Sequence, residues 1–540
     1  MRTILFSFLL LFPLQKTQVS PQKPADQCTL QGVVVKAESG EPLKKALVRL
    51  REVGGRDHRS SDETDETGRF EIRVDPGRYR LLASHNGYIP QLYGERAFGG
   101  RGSILTVAAG QKISDLTFRL TPAAVITGHV YDEDGEPLAE ARVLVLRRAL
   151  DRGQGELVTE RWSETNDRGE FRAFGLPPGQ YYVRAESNPD EERGPTPAPG
   201  GYLAMYYPGT SDAGRASPVI VHSGEEIPGI DITLQPVHTF TIRGRVLNSI
   251  GGRPSQQTDI VLVRREPGIM EHRHDLVTDP QGAFEIRNVS PGSYSLHAMI
   301  RDGERSYAAR MPVEVTNADI DGVTLTITRG LDIRGQLRTE GATLASLGSL
   351  NVHVVPKNES RGFGHGGEDS VKGDGSFLLG NVADGDYDLY VSRLPEGFFL
   401  KSARLDGNEV LSSGITIDAE QAPKLLEIVV SANGAQIEGV VQKDQQPFSG
   451  AAVVLVPDSA HRDNRYLFDE TTTDQYGHFL LRGIAPGDYK LFAWENVESG
   501  AYRSAGFLQA FEERGRSVQV TEGARLTVQL DLIPAKDSSP

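Results

Sequence analysis

Apolar residues spaced two apart open five successive stretches of the chain: Leu30-x-Gly32-x-Val34, Ile126-x-Gly128-x-Val130, Ile242-x-Gly244-x-Val246, Ile333-x-Gly335-x-Leu337 and Ile437-x-Gly439-x-Val441. A period of two puts those positions on one face of a β-strand. Glycine on that inward face predicts that a neighbouring backbone or a large ring comes close, and a Phe or Tyr of the same unit is its natural occupant. A second apolar strand follows in each stretch, as at residues 46–50 and 451–455. Each stretch closes on an alternating strand, at residues 116–120, 230–234, 323–327, 425–429 and 526–530.

Between those strands lies a second repeated pattern, Gly-x-Phe and then Tyr just past a turn. It runs Gly68, Phe70, Pro76-Gly77, Tyr79; Gly169, Phe171, Pro178-Gly179, Tyr181; and Gly282, Phe284, Pro291-Gly292, Tyr294. The fourth copy has Asp for Pro (Gly375, Phe377, Asp384-Gly385, Tyr387), and the fifth is regular (Gly477, Phe479, Pro486-Gly487, Tyr489). Successive Phe positions lie 101, 113, 93 and 102 residues apart, a recurrence that chance does not produce. Four copies place Asp65, Asn166, Asp279 or Asp474 three residues before the Gly. Such a side chain accepts from backbone N–H groups two or three residues on and fixes a turn, with Gly in the positive-φ position. Copy four has Lys372 there and Asp374 beside the Gly, so a different turn is expected.

Many short strands, regular turn signals and no amphipathic helix predict an all-β chain of five tandem antiparallel β-sandwiches, Ig-like or prealbumin-like. The units are residues 28–121, 122–236, 238–329, 331–432 and 434–534. Short joints such as Thr121-Pro122 and Gln235-Pro236 predict semi-rigid beads that unfold nearly independently. The Pro/Gly-rich residues 188–201 read as an exposed loop. The Tyr79, Tyr181, Tyr294, Tyr387 and Tyr489 series reads as structural, each hydroxyl bonding backbone as in a tyrosine corner.

Residues 1–20 read as an export signal: Arg2, an apolar run over residues 4–14, then a polar region with Ser20-Pro21 near the cut. Eleven apolar residues are too few to span a bilayer, and no later run or tail supplies a transmembrane anchor. The expected location is therefore secreted, periplasmic or cell-surface. A net charge of −15 without basic clusters speaks against nucleic acid as a partner. Cys28 is the sole cysteine, so no intrachain disulfide is available, and a lone thiol at the first unit's edge is expected.

The opening Ile-x-Gly-x-Val, central Asp-x-x-Gly-x-Phe and Pro-Gly-x-Tyr together resemble the carboxypeptidase regulatory-like domain, over residues 28 to about 534. The resemblance is strongest in copies two and five and weakest in four. It implies a transthyretin-like sandwich, classed with carbohydrate-binding-like folds, in a bacterial secreted or envelope protein. It also implies a non-catalytic companion module; fold alone does not fix function. The B-type repeats of collagen adhesins look related, and these lock themselves with Lys–Asn isopeptide bonds. Here no Lys occurs between Lys112 and Lys357, so units two and three cannot form that bond internally.

The chain lacks Gly-x-Ser-x-Gly, phosphate-loop and dinucleotide signatures. Two His-x-x-Glu matches, His222 to Glu225 and His365 to Glu368, fall in a turn and a Gly-rich loop, and His272-Arg273-His274 also reads as loop. Asp132-Glu133-Asp134-Gly135-Glu136 lacks full calcium-loop spacing and reads as a hairpin turn. No cofactor, metal or catalytic residue is assigned. Sugar binding needs exposed flat rings with polar neighbours. The candidates are Trp162, Tyr202, Tyr206 and Tyr207 in unit two and Trp494 in unit five, with Tyr88, Tyr93, Tyr502 and Phe507 as related aromatics. Packing of these rings is the alternative. Two functions follow: a monomeric array binding glycans or cell-envelope proteins, or a structural spacer with no ligand of its own.

Overall fold

The computed structural model describes residues 27–53, 59–96, 98–151, 154–187, 201–249, 258–265, 272–302, 305–357, 367–418, 425–498 and 500–535. The export signal at residues 1–20 lies outside them, as do residues 188–200 and His365.

The described residues gather into five principal hydrophobic cores, one in each repeat. Every unit has two sheets built on the same strands; unit four adds Phe399–Leu405 and Asn408–Glu409 beyond its closing strand, and unit two adds the pair Gly201–Leu203 and Gln235–Val237. In unit one the opening strand Cys28–Lys36 lies between the Phe-bearing strand Arg69–Val74 and the closing strand Lys112–Leu120. Facing it, the second strand Leu47–Glu52 lies between the edge strand Arg59–Glu63 and the Tyr-bearing strand Gly77–Ser84. The opening and closing strands pair in parallel in all five units, amid otherwise antiparallel sheets. Sequence patterning carries face and spacing but not strand direction, so this pair was not legible in it.

The inward glycine has the predicted neighbours. A Cβ on Gly32, Gly244, Gly335 or Gly439 would overlap the Phe ring of its own unit, and on Gly128 it would overlap the backbone of Ile230. Each repeat tyrosine donates its hydroxyl to the carbonyl four residues back: Tyr79 to Asp75 (2.8 Å), Tyr181 to Pro177 (2.7 Å), Tyr294 to Ser290 (2.8 Å), Tyr387 to Ala383 (2.9 Å) and Tyr489 to Ala485 (2.9 Å). The bond satisfies a phenol that the core would otherwise leave unpaired.

The central turn departs in detail from expectation. The Asp65 carboxylate accepts from the amides two and four residues on, Thr67 (2.8 Å) and Arg69 (2.9 Å), and Asn166, Asp279 and Asp474 do the same. Copy four keeps the same backbone turn, Lys372 N–H to Ser376 O and Gly375 N–H to Lys372 O, while Asp374 caps Ser376 instead. Two further expectations change. His272, Arg273 and His274 belong to an edge strand, His272–Val277, and not to a loop. Cys28 is fully buried, its thiol donating to the Ala108 carbonyl (3.0 Å), and not an edge thiol.

The joints are knitted into the units. Ile89 N–H donates to Thr121 and Ala123 N–H to Gly87, and Gln235–Val237 pairs with Gly201–Leu203. More consequentially, unit five touches units one, two and four. Its central turn, Asp474 to Gly477, docks on the strand Leu105–Val107 of unit one. The Gln475 amide both accepts from Thr106 N–H (3.0 Å) and donates to Thr106 O (2.7 Å), and Thr106 Oγ1 donates to Asp474 (3.0 Å). Arg101 pairs with Glu470, and Arg96 lies over the Phe448 ring at 4.2 Å. Toward unit four, Lys401 bridges Glu340 (2.6 Å) and Glu522 (3.1 Å), while Arg465 pairs with Asp388 (2.7 Å) and covers Tyr390. The five units thus fold back on themselves through unit five, which a string of beads does not do.

Candidate functional site

On the outer face of unit two, register sets a row across four strands. Trp162 lies opposite Leu144, Leu144 opposite Arg184, and Arg184 opposite Tyr206. Tyr182 and Leu146 continue the face into a small second cluster with Leu144 and Tyr206. Arg184 is buried and paired with Glu186 (2.8 Å), with its guanidinium 5.7 Å from the Tyr206 ring. Trp162, on the edge strand Gln154–Glu164, stays 62% exposed, so a large flat ring stands in water, separated from the buried Arg184 by Leu144.

The other candidates divide differently. Tyr206 is 4% exposed and belongs to packing, because Leu144, Leu146 and Tyr182 close around it. Tyr202 and Tyr207 are half-buried against the unit-two core. Burial, and then a hydrogen bond to the Glu133 carboxylate, push the Tyr202 phenol up to about 12. Trp494 is fully buried, stacked on Phe492 at 5.0 Å and met edge-on by Phe511 at 5.8 Å. No ligand can reach it in this conformation, so Trp494 and Tyr206 are corrected from contact to core. Tyr93 packs edge-on to Phe118, and buried Tyr502 donates to Glu470. The two tryptophans could not be told apart by composition: each sits on a strand outer face, and what covers that face comes from a distant loop.

A feature that sequence reading missed is a cleft of about 750 Å³ where units one, two and five meet. Phe98, 46% exposed, comes from unit one, Gln180 and Tyr182 from unit two, and Asn496 and Glu498 from unit five. Arg147 spans it, bonding Glu160 (2.8 Å) within its own unit and Glu498 (3.2 Å) across the gap. Its residues lie up to four hundred positions apart, so no local motif could announce it.

Two of the motifs weighed as metal sites, His222 to Glu225 and Asp132 to Glu136, are turns. The backbone amide of His222 donates to the Glu225 carboxylate (2.9 Å), and Asp132 accepts from Asp134 and Glu136 amides (3.0 and 2.9 Å). Among the described residues no group of three or more His, Cys, Asp or Glu side chains could hold a metal ion. Among them, too, no helix is long and apolar enough to cross a membrane.

With the repeated two-sheet unit and its tyrosine corner in place, the class is a tandem array of β-sandwiches. Residues 29–121 and 125–192 match the model of the carboxypeptidase regulatory-like domain directly. Among curated proteins, the human BOS complex subunit NOMO3 is 26% identical over 277 residues, 47% of this chain and 20% of that protein. The serine-aspartate repeat-containing protein D of Staphylococcus aureus strain Newman is 26% identical over 27% of this chain and 12% of that protein. The chain therefore spans about a fifth or less of the length of these relatives. Among solved structures, the minor pilin GBS52 of Streptococcus agalactiae aligns over 39% of this chain and 96% of its own, at 14% identity and a TM-score of 0.23. Two B repeat units of the Staphylococcus aureus collagen binding protein align over 76% of this chain and all of theirs, at 12% identity and a TM-score of 0.13.

Proposed function

We propose that this chain is an exported, non-catalytic binding protein of five regulatory-like sandwiches, with the unit boundaries given above, that takes carbohydrate or envelope partners. The observation that carries this reading is Trp162, a 62% exposed indole on the outer face of unit two, opposite the buried Leu144. Exposed rings of this size, flanked by charged groups, suit the apolar face of a sugar ring or a partner's anchor residue. Tyr202 and Tyr207 belong to the same unit and support its surface from the core side. The spacer reading is disfavoured by the contact between units one and five, since an array that folds back gives up reach. A glycan array probed with the processed protein and with Trp162→Ala tests the reading; signal lost in the variant is expected. Equal signal from both would remove Trp162 from the site. Export is tested separately: the protein recovered outside the cytoplasm should lack its first ~20 residues, and an intact Met1 there would overturn that part.

A further inference from the structure

The cleft between units one, two and five offers a second surface, made by chain segments that meet only because the array closes. Its volume of about 750 Å³ falls in the range of roughly 300–1,000 Å³ typical of small-ligand sites, which favour domain junctions.

Charge narrows the ligand. Arg147 is held by two carboxylates, Glu160 and Glu498, and the second guanidinium, Arg148, lies over the Tyr182 ring at 5.5 Å. Two arginines against two glutamates leave the lining neutral, so a phosphorylated or sulfated ligand would lack the free cationic cluster it needs. A lipid tail would have to desolvate the same ion pairs, at a cost no apolar contact there offsets. What remains is one exposed flat ring, Phe98, with amide donors and acceptors on Gln180 and Asn496 within the same cleft. That set stacks on one face of a neutral, polyhydroxylated ring and bonds its hydroxyls.

We propose that this cleft binds a neutral oligosaccharide of a few residues, and that it exists only while unit five is clasped to unit one. The proposal rests on the carbohydrate-binding reading above but assigns a different surface from Trp162. Unit five reaches unit one through Arg101–Glu470 and the Thr106–Gln475 bonds, none of which lines the cleft, so the clasp can be opened without altering the lining.

Titration calorimetry and saturation-transfer NMR of the processed full chain with maltohexaose, cellohexaose and chitohexaose test it. Phe98→Ala should weaken binding of the hexaose taken up by at least about tenfold, with an unchanged melting temperature. Arg101→Glu, which sets two carboxylates against each other, should weaken it similarly while small-angle scattering shows a larger radius of gyration. If the chain binds a hexaose and loses it with Trp162→Ala but not with Phe98→Ala or Arg101→Glu, the cleft proposal falls and the carbohydrate reading stands. If none of the hexaoses binds and the glycan array is also blank, both fall. Uptake of an extended peptide in place of sugar, lost with Phe98→Ala, would overturn the ligand class.

Discussion

Units two and five build the same outer face and finish it in opposite ways. In both, the second strand pairs with the Tyr-bearing strand to present a ladder of large side chains, Leu144 with Arg184 and Leu146 with Tyr182 in unit two, Val454 with Phe492 and Ala452 with Trp494 in unit five. In both, an insertion follows the Tyr-bearing strand. Unit five's insertion contains a short helix, Ala505–Gln509, and brings Tyr502, Leu508 and Phe511 down on Phe492 and Trp494. Unit two's insertion supplies Tyr206 and Ala213 above Leu146 and Tyr182, and leaves Trp162 on the edge strand uncovered. The scaffold is constant and the inserted loop decides whether an aromatic face becomes core or surface. Unit five, sealed, serves as the hub that contacts units one, two and four; unit two keeps an open ring.

The strongest break in that comparison is Trp494→Ala. Removing a fully buried indole from a packed cluster should cost about 3–5 kcal/mol. Because unit five holds the clasp, differential scanning calorimetry should show its transition moving down and the contacts to units one and four loosening with it. A variant melting like the wild type would mean that this cluster does not support the hub.

The next effect is one of pH, and it belongs to the hub's edge strand. Burial pushes the Asp469 carboxyl up to about 6, against an opposing bond from the Glu470 amide. The native state therefore holds this proton more tightly than the unfolded chain, whose carboxyl titrates near 3.8. Its contribution is fully present below about pH 4 and is lost as pH rises through about 6. Over that window unit five should lose up to about 3 kcal/mol. Asp469→Asn should flatten this part of the melting-temperature profile; a wild-type profile parallel to the variant's from pH 4 to 7 would refute the assignment.

The difference between these units also marks how far the sequence could be read. The five-fold repeat, the inward Gly against its Phe ring and the tyrosine corner were all legible, because each is a short-range pattern with one steric solution. Asp65 and its equivalents were placed correctly as turn residues and missed in detail, since the second amide they reach is four residues on, not three. The parallel pairing of opening and closing strands, the clasp at Gln475 and the cleft at Phe98 depend on contacts between residues about eighty to four hundred positions apart. Trp494 looked like Trp162 for the same reason: nothing adjacent in sequence announces that Tyr502 and Phe511 return to cover it.

A smaller effect sharpens the unit-two side. Tyr202→Phe keeps the ring against the core and removes its bond to Glu133. A single neutral-to-charged bond at a half-exposed site supports a loss of about 1 kcal/mol, read by urea denaturation of the full chain. A loss near that of Trp494→Ala would mean that the loop around Tyr202 carries far more of the unit than its burial suggests.

The smallest expected change in stability is at Trp162. An exposed side chain on an edge strand makes few contacts that folding must lose, so Trp162→Ala should shift stability by no more than about 0.5 kcal/mol. The chain has two tryptophans, which makes the contrast directly visible. Trp162→Phe leaves only buried Trp494, whose emission should be blue-shifted and resistant to quenching by acrylamide or iodide. Trp494→Phe leaves only Trp162, whose emission should be red-shifted and readily quenched. A partner that docks on unit two's open face should protect the Trp162 signal and leave that of Trp494 unchanged. If Trp162 resists quenching in the free protein, its face is already covered in solution, and the open-face reading of unit two fails however well the variant folds.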